Sequence, residues 1–89
     1  MRFEWDEAKR LVNLEKHGID FADCPMAFES PMLVTLDSRK DYGEARCIGI
    51  GMLHGRIVTL VWTVRGDAFR LISARKAHGK ELAAYRAGP

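Results

Sequence analysis

Between residues 65 and 77 the chain reads RGDAFRLISARKA, with Arg65, Arg70, Arg75 and Lys76 set into an otherwise strand-like run. A guanidinium is planar, permanently charged and able to donate two parallel hydrogen bonds, which suits it to phosphate oxygens. Cleaving a phosphodiester with a neighbouring hydroxyl has three needs. An anionic five-coordinate phosphorus must be stabilised, the attacking oxygen must lose a proton, and the leaving oxygen must gain one. Arg and Lys meet the first need. His17, Glu44, Glu81 and Tyr85 carry the chemistry for the other two. Lys16 and His17 stand together just before Gly18, at what reads as a helix end.

The rest of the chain limits what such a cluster could belong to. Eighty-nine residues make one domain, spanning 1–89, with a small core. The composition, 47% hydrophobic and 29% charged, is that of a folded globular chain. A formal net charge of +2 excludes a histone-like binder. The distribution matters more: only Asp67 and Glu81 are acidic among residues 46–89, so the C-terminal half is basic and favours an anionic partner. Cys24 and Cys47 fall in a helix-like and a strand-like segment and do not suggest a disulfide framework. The N-terminus, MRFEWDEAKR, is charged from its second residue, unlike a secretory signal, and no apolar run is long enough for a membrane span. A cytoplasmic protein is the expectation. His17, His54 and His78 are scattered, without a Cys-x-x-Cys or His-Glu-x-x-His partner, so neither a metal nor another cofactor is expected.

Elements must position these groups. FEW at 3–5 could begin a short edge strand, and a helix reads from Asp6 to His17, stopped by Gly18. On its wheel Trp5, Ala8, Leu11, Val12 and Leu14 form an apolar half, and Asp6, Lys9, Asn13, Lys16 and His17 a polar arc. A second, short helix is expected over about 21–28, capped by Asp20 or Asp23, with Pro25 favouring the later start. Strands follow at 32–36, 46–53, 56–64 and 68–75, with a polar loop at 38–45, a two-residue turn at His54-Gly55 and another turn at 65–67. A last helix covers about 78–86. The fold class is therefore α+β: a small antiparallel sheet of about four strands, two N-terminal helices and one C-terminal helix, with the helices on one face.

Strict alternation then assigns faces. Leu60, Trp62 and Val64 take the core face of the third strand. On the fourth, Phe69, Leu71, Ser73 and Arg75 take one face, and Arg70 falls on the core side with Ile72 and Ala74. Arg65 lies beside the turn and Arg75 at the far end, so two basic clusters are expected: Arg65 with Arg70, and Arg75 with Lys76.

The blocks FEWDEAKRLVNLEKHGIDF at 3–21, IGMLHGRIVTLVWTVRGD at 48–67 and RLISARKA at 70–77, closing with Glu81 and Tyr85, resemble in order and spacing the BrnT family of bacterial type II toxins. The resemblance implies a RelE-like fold and a metal-independent endoribonuclease that inhibits translation. It implies a cognate BrnA-type antitoxin, a toxin–antitoxin heterotetramer, and contact with DNA only through the antitoxin. It places Arg75, Arg65, Tyr85 and His17 in catalysis, and Arg70, Lys76 and Lys16 on RNA phosphates. The family commonly carries Thr or Ser after the ARKA block, where this chain has His78-Gly79, a weaker helix start. Two alternatives stand beside this reading. Arg75 could be an ion pair anchoring the last helix. The whole chain could be a catalytically silent module that binds the antitoxin and acts as co-repressor of its own operon.

Overall fold

The computed structural model describes residues 1–37 and 43–88. Most of the expected loop at 38–45, and Pro89, lie outside them. Eight elements follow in order: β1 (Arg2–Glu4), α1 (Glu7–His17), the 3-10 helix η1 (Phe21–Glu29), β2 (Leu33–Leu36), β3 (Arg46–Leu53), β4 (Arg56–Arg65), β5 (Ala68–Lys76) and α2 (Gly79–Ala87).

Local chemistry explains most boundaries. The Asp6 side chain accepts a hydrogen bond from Lys9 N–H at 3.0 Å and starts α1. Gly18 ends α1 in the left-handed region at φ 71, a conformation that costs glycine little. Asp20, and not Asp23, caps η1: its carboxylate accepts from Ala22 N–H at 2.9 Å and from Arg10 at 3.0 and 3.1 Å. The helix therefore starts earlier than Pro25 suggests. Pro25 lacks the donor an α-helix would need there, and the segment winds as a tighter helix instead. His54 (φ 50) and Gly55 (φ 76) form the expected two-residue turn between β3 and β4.

The sheet differs from the expectation. It has five strands in the order β1-β5-β4-β3-β2, and it is mixed, because β1 pairs parallel with β5 through Arg2↔Ala68, Phe3↔Phe69 and Glu4↔Arg70. The short edge strand expected from residues 3–5 is present as β1, but a parallel partner 66 positions away leaves no local signal of the pairing. The β4–β5 hairpin carries a bulge: Val61 faces Ser73, but Trp62 faces Leu71, leaving Ile72 as the extra residue.

The core lies on the sheet face that bears Val58, Leu60, Trp62, Leu71 and Ala74, covered by Ile19, Phe21, Cys24 and Ala27. Gly49 makes that packing fit. A Cβ there would stand 2.6 Å from the Trp62 ring and 2.5 Å from the Met32 sulfur. Val64, expected in the core, is exposed. It pairs with Phe69 near the turn between β4 and β5.

The helices do not share one face. Glu81 of α2 reaches the Thr59 hydroxyl, on the face opposite Val58 and Leu60. The first helix is also turned the other way from its wheel. Leu11 and Val12 are more than half exposed, whereas Asn13 is buried. The Asn13 amide donates to the carbonyls of Ile19 (3.0 Å) and Ala74 (2.9 Å) and accepts from Ala74 N–H at 3.1 Å. It thereby supplies the hydrogen bonds that β1, ending at Glu4, cannot give to the far half of β5. Unmade backbone bonds at a buried sheet edge are costly, and that requirement outweighs the apolar wheel.

Candidate functional site

The polar arc of α1 faces the end of β5. Lys16 and His17 of α1, Arg75 and Lys76 of β5, and Ala77 and His78 before α2 line one open groove of about 450 Å³. Three segments distant in sequence thus bring two imidazoles, two ammonium groups and a guanidinium together. Asn13 sits one turn before His17 and fixes α1 against Ala74, the neighbour of Arg75. The orientation of this groove is set by a buried amide rather than by apolar packing.

Arg75 is also an anchor. Its Nη1 and Nη2 donate to the two carboxylate oxygens of Glu81, each at 2.8 Å. Glu81 Oε1 additionally accepts from Thr59 Oγ1 at 3.0 Å and His78 N–H at 2.8 Å. The last contact caps α2 from within and offsets the weak start that His78-Gly79 implies. The Arg75 side chain nevertheless keeps 26% of its surface exposed. It lines the groove with His17 and a second one with Arg46, Thr59, Ser73 and Glu81 on the outer face of the sheet. Arg75 is therefore neither a free cation nor a buried one.

Protonation follows from these contacts. The Arg75 fork holds the Glu81 carboxyl at about 2, with the backbone and Thr59 hydrogen bonds adding to it against the opposing cost of burial. An ion so far below neutrality is no proton donor near pH 7 and a weak acceptor, so Glu81 orients Arg75 and does not carry protons. Burial lowers the His17 pKa, and the neighbouring charges of Lys16, Arg75 and His78 lower it further. His17 is thus a neutral imidazole at pH 7, the form that accepts a proton. Burial disfavours ionisation of Glu44, but hydrogen bonds from Arg65 and Thr63 outweigh it and leave the pKa lowered.

The other expected residues lie elsewhere. Arg75 pairs across the sheet with Thr59, and Arg65 with Ala68, so six residues of β4, roughly 20 Å, separate them. Arg65 binds Glu44 at 3.2 Å and shares a small pocket with Arg70, Arg46 and Lys9. The expected separation of the two basic clusters is what the structure shows. The face of Arg70 is a correction. The bulge at Ile72 reverses the alternation, so Leu71 and Ala74 share the core while Arg70 joins Ser73 and Arg75 outside. Arg70 there binds Glu4 at 2.9 Å. Tyr85 is half-buried on α2 and lines neither groove that contains Arg75. Lys16 and Lys76 are exposed at the rim of the His17 groove.

Sequence reasoning missed His78, Thr59 and Arg46. His78 could have been noticed from its place two residues after Lys76. Thr59 carried only its strand parity with Arg75. Arg46 carried nothing, since its neighbours Thr63 and Asp37 are known only from pairing and hydrogen bonding across the sheet.

A small α+β protein whose open groove is built from guanidinium, ammonium and imidazole groups has the chemistry of a phosphodiester-directed protein. The family model for the ribonuclease toxin BrnT of type II toxin–antitoxin systems matches residues 5–81, and the chain belongs to that family. It is accordingly a member of a family of ribonuclease toxins, whose partner is an antitoxin. No curated protein matches it. Among the described residues no helix is long and apolar enough to cross a membrane.

Proposed function

We propose that this chain cleaves RNA internally in the groove of Lys16, His17, Arg75, Lys76 and His78, without a metal, and so stops translation in the cytoplasm. The observation that carries the reading is the convergence of α1, β5 and the start of α2 on one cationic groove with two imidazoles. In the proposed reaction the neutral His17 accepts the proton of a ribose 2′-hydroxyl. The freed oxygen attacks the adjacent phosphorus. Arg75, Lys76 and Lys16 stabilise the added negative charge of the five-coordinate state. The bond to the 5′-oxygen then breaks, and that oxygen takes a proton from the side chain of His78. The products are a 2′,3′-cyclic phosphate and a 5′-hydroxyl. Glu81 holds the Arg75 fork in place by two hydrogen bonds, a positioning role. Arg65 and Arg70 belong to RNA binding away from the reacting phosphate in this scheme, and Tyr85 to the packing of α2.

A BrnA-type antitoxin is the proposed partner, forming a heterotetramer whose antitoxin part alone touches DNA. A second reading has one observation in its favour. Arg75 is held by a carboxylate, as an anchor for α2 would be. A silent module that binds the antitoxin and tunes repression would keep that pair and cleave nothing.

The test is to incubate pure protein with a long RNA in EDTA and map both new ends. Cyclic phosphate and 5′-hydroxyl ends, absent with Arg75→Ala, are expected. Intact RNA with retained antitoxin binding would select the silent module, and 5′-phosphate ends would rule out attack by the 2′-hydroxyl.

A further inference from the structure

The groove of His17 and Arg75 does not end at α1. Lys16 and His17 also line a second groove, of about 350 Å³, in which Lys9 and Val12 of α1 face Ile72 and Ser73 of β5. Lys9 in turn lines the pocket of Arg46, Arg65 and Arg70 near the β4–β5 turn. Ile72, the extra residue of the bulge, borders this pocket, the Lys9 groove and the outer-face groove of Arg75 alike. One path therefore runs beside β5 from the Arg75 end to the Arg70 end. Its ends are five residues apart on one strand, roughly 16 Å, a length that several nucleotides of a single strand can follow.

Lys9 stands where the two halves of this path meet. Its ammonium makes no ion pair among the described residues, while Arg65 and Arg70 beyond it are matched to Glu44 and Glu4. Lys9 and Lys16 are seven positions apart, two helical turns and about 10.5 Å along the axis, on the same side of α1. Between them Asn13 pins the helix to β5, so both side chains start from a fixed backbone. Ile72 gives the path an apolar floor between cations, the alternation that suits a backbone of phosphates with bases beside it.

We propose that Lys9 is a phosphate contact for single-stranded RNA outside the scissile bond, carrying the strand from the Arg75 groove towards Arg70 and Arg65. The proposal rests on the ribonuclease reading and deepens it: the site takes several nucleotides, not a lone phosphodiester. The continuity of the path with the His17 groove favours RNA over an acidic segment of a protein partner.

The test compares wild type, Lys9→Ala, Lys9→Arg and, as a control on α2, Lys80→Ala. Affinity is read by fluorescence anisotropy with a 2′-O-methyl single-stranded RNA, which lacks the attacking hydroxyl, across a salt series. Lys9→Ala is expected to weaken binding several-fold at low salt and to lower the salt slope by about 0.7. Lys9→Arg should restore both, and Lys80→Ala should change neither. With a long RNA substrate Lys9→Ala should raise KM and leave kcat alone, and cleavage of a dinucleotide should be unchanged. Equal affinity and slope for Lys9→Ala overturn the proposal, as does an unchanged RNA affinity with weakened antitoxin binding, which assigns the path to protein. Failure of the ribonuclease reading shows differently, because wild type itself would then neither bind nor cut RNA.

Discussion

Arg75 and Glu81 face each other through two parallel hydrogen bonds of 2.8 Å, and this one pair both aims a cation at the groove and fastens α2 to the sheet. No residue of α2 is fully buried, so the pair adds to a modest attachment made by the Thr59–Glu81 hydrogen bond and the half-buried Leu82 and Tyr85. Chemistry and local stability are therefore coupled at a single contact.

That coupling separates under mutation. Arg75→Ala should abolish RNA cleavage and leave the Glu81 carboxylate without its main partner, costing about 1–3 kcal/mol. Arg75→Lys keeps a charge but not the fork, and should recover stability in part and cleavage poorly. Urea denaturation beside an RNA cleavage assay distinguishes the two effects. A variant Arg75→Ala with full cleavage would remove the guanidinium from the mechanism.

Acid should loosen the same contact. The Glu81 pKa is about 2 in the folded chain against 4.5 for an unperturbed carboxyl. The stabilisation is complete above 4.5 and disappears as pH falls from there through about 2. With part of the pair open to solvent it amounts to on the order of 1–3 kcal/mol. Melting temperature followed from pH 6 to pH 2 should fall less steeply in Glu81→Gln than in wild type. Parallel curves would show that Glu81 is not the group responsible.

His17 has the opposite charge behaviour but the same direction. Its pKa is lowered in the fold, so the unfolded chain binds the proton more readily. Stability should decline as pH falls below 6.5 and be insensitive to His17 above it. The cleavage rate should rise with pH through the depressed His17 pKa. His17→Gln should lose on the order of 10²–10⁴ in kcat, together with that acidic limb. An unchanged limb in the pH–rate profile would assign the proton to another group.

Asn13 is expected to be the most sensitive polar residue of α1. Asn13→Ala removes three hydrogen bonds at a buried sheet edge and should cost about 2–3 kcal/mol. Asn13→Asp should cost at least as much, because a carboxylate would face the carbonyls of Ile19 and Ala74 with nothing to donate. Chemical denaturation checks both. A neutral Asn13→Asp would mean that the edge is not held as described.

Gly49 and Gly51 offer a paired test of packing. A Cβ at Gly49 meets the Trp62 ring at 2.6 Å, which the core cannot yield, whereas at Gly51 the nearest atom is the flexible Met32 Cε at 3.1 Å. Gly49→Ala should destabilise by roughly 1–3 kcal/mol or more, and Gly51→Ala by clearly less. Equal losses in thermal unfolding would contradict the geometry.

The sequence alone was enough for much of this. Asp6 and Gly18 mark both ends of α1, His54-Gly55 marks the hairpin, and the four longer strands fall close to their expected bounds because caps, turns and β-branched runs act within a few residues. The two basic clusters also followed from strand length. Three matters were decided only by tertiary structure. The parallel pairing of β1 depends on a partner 66 positions away. The side of α1 that is buried depends on an open edge of β5 that Asn13 must satisfy, so an apolar wheel pointed the wrong way. The face of Arg70 depends on a single bulge at Ile72, which reverses every residue beyond it. Short-range chemistry can be read from neighbours in the chain, but a buried hydrogen bond or a register shift exists only between segments that folding has already brought together.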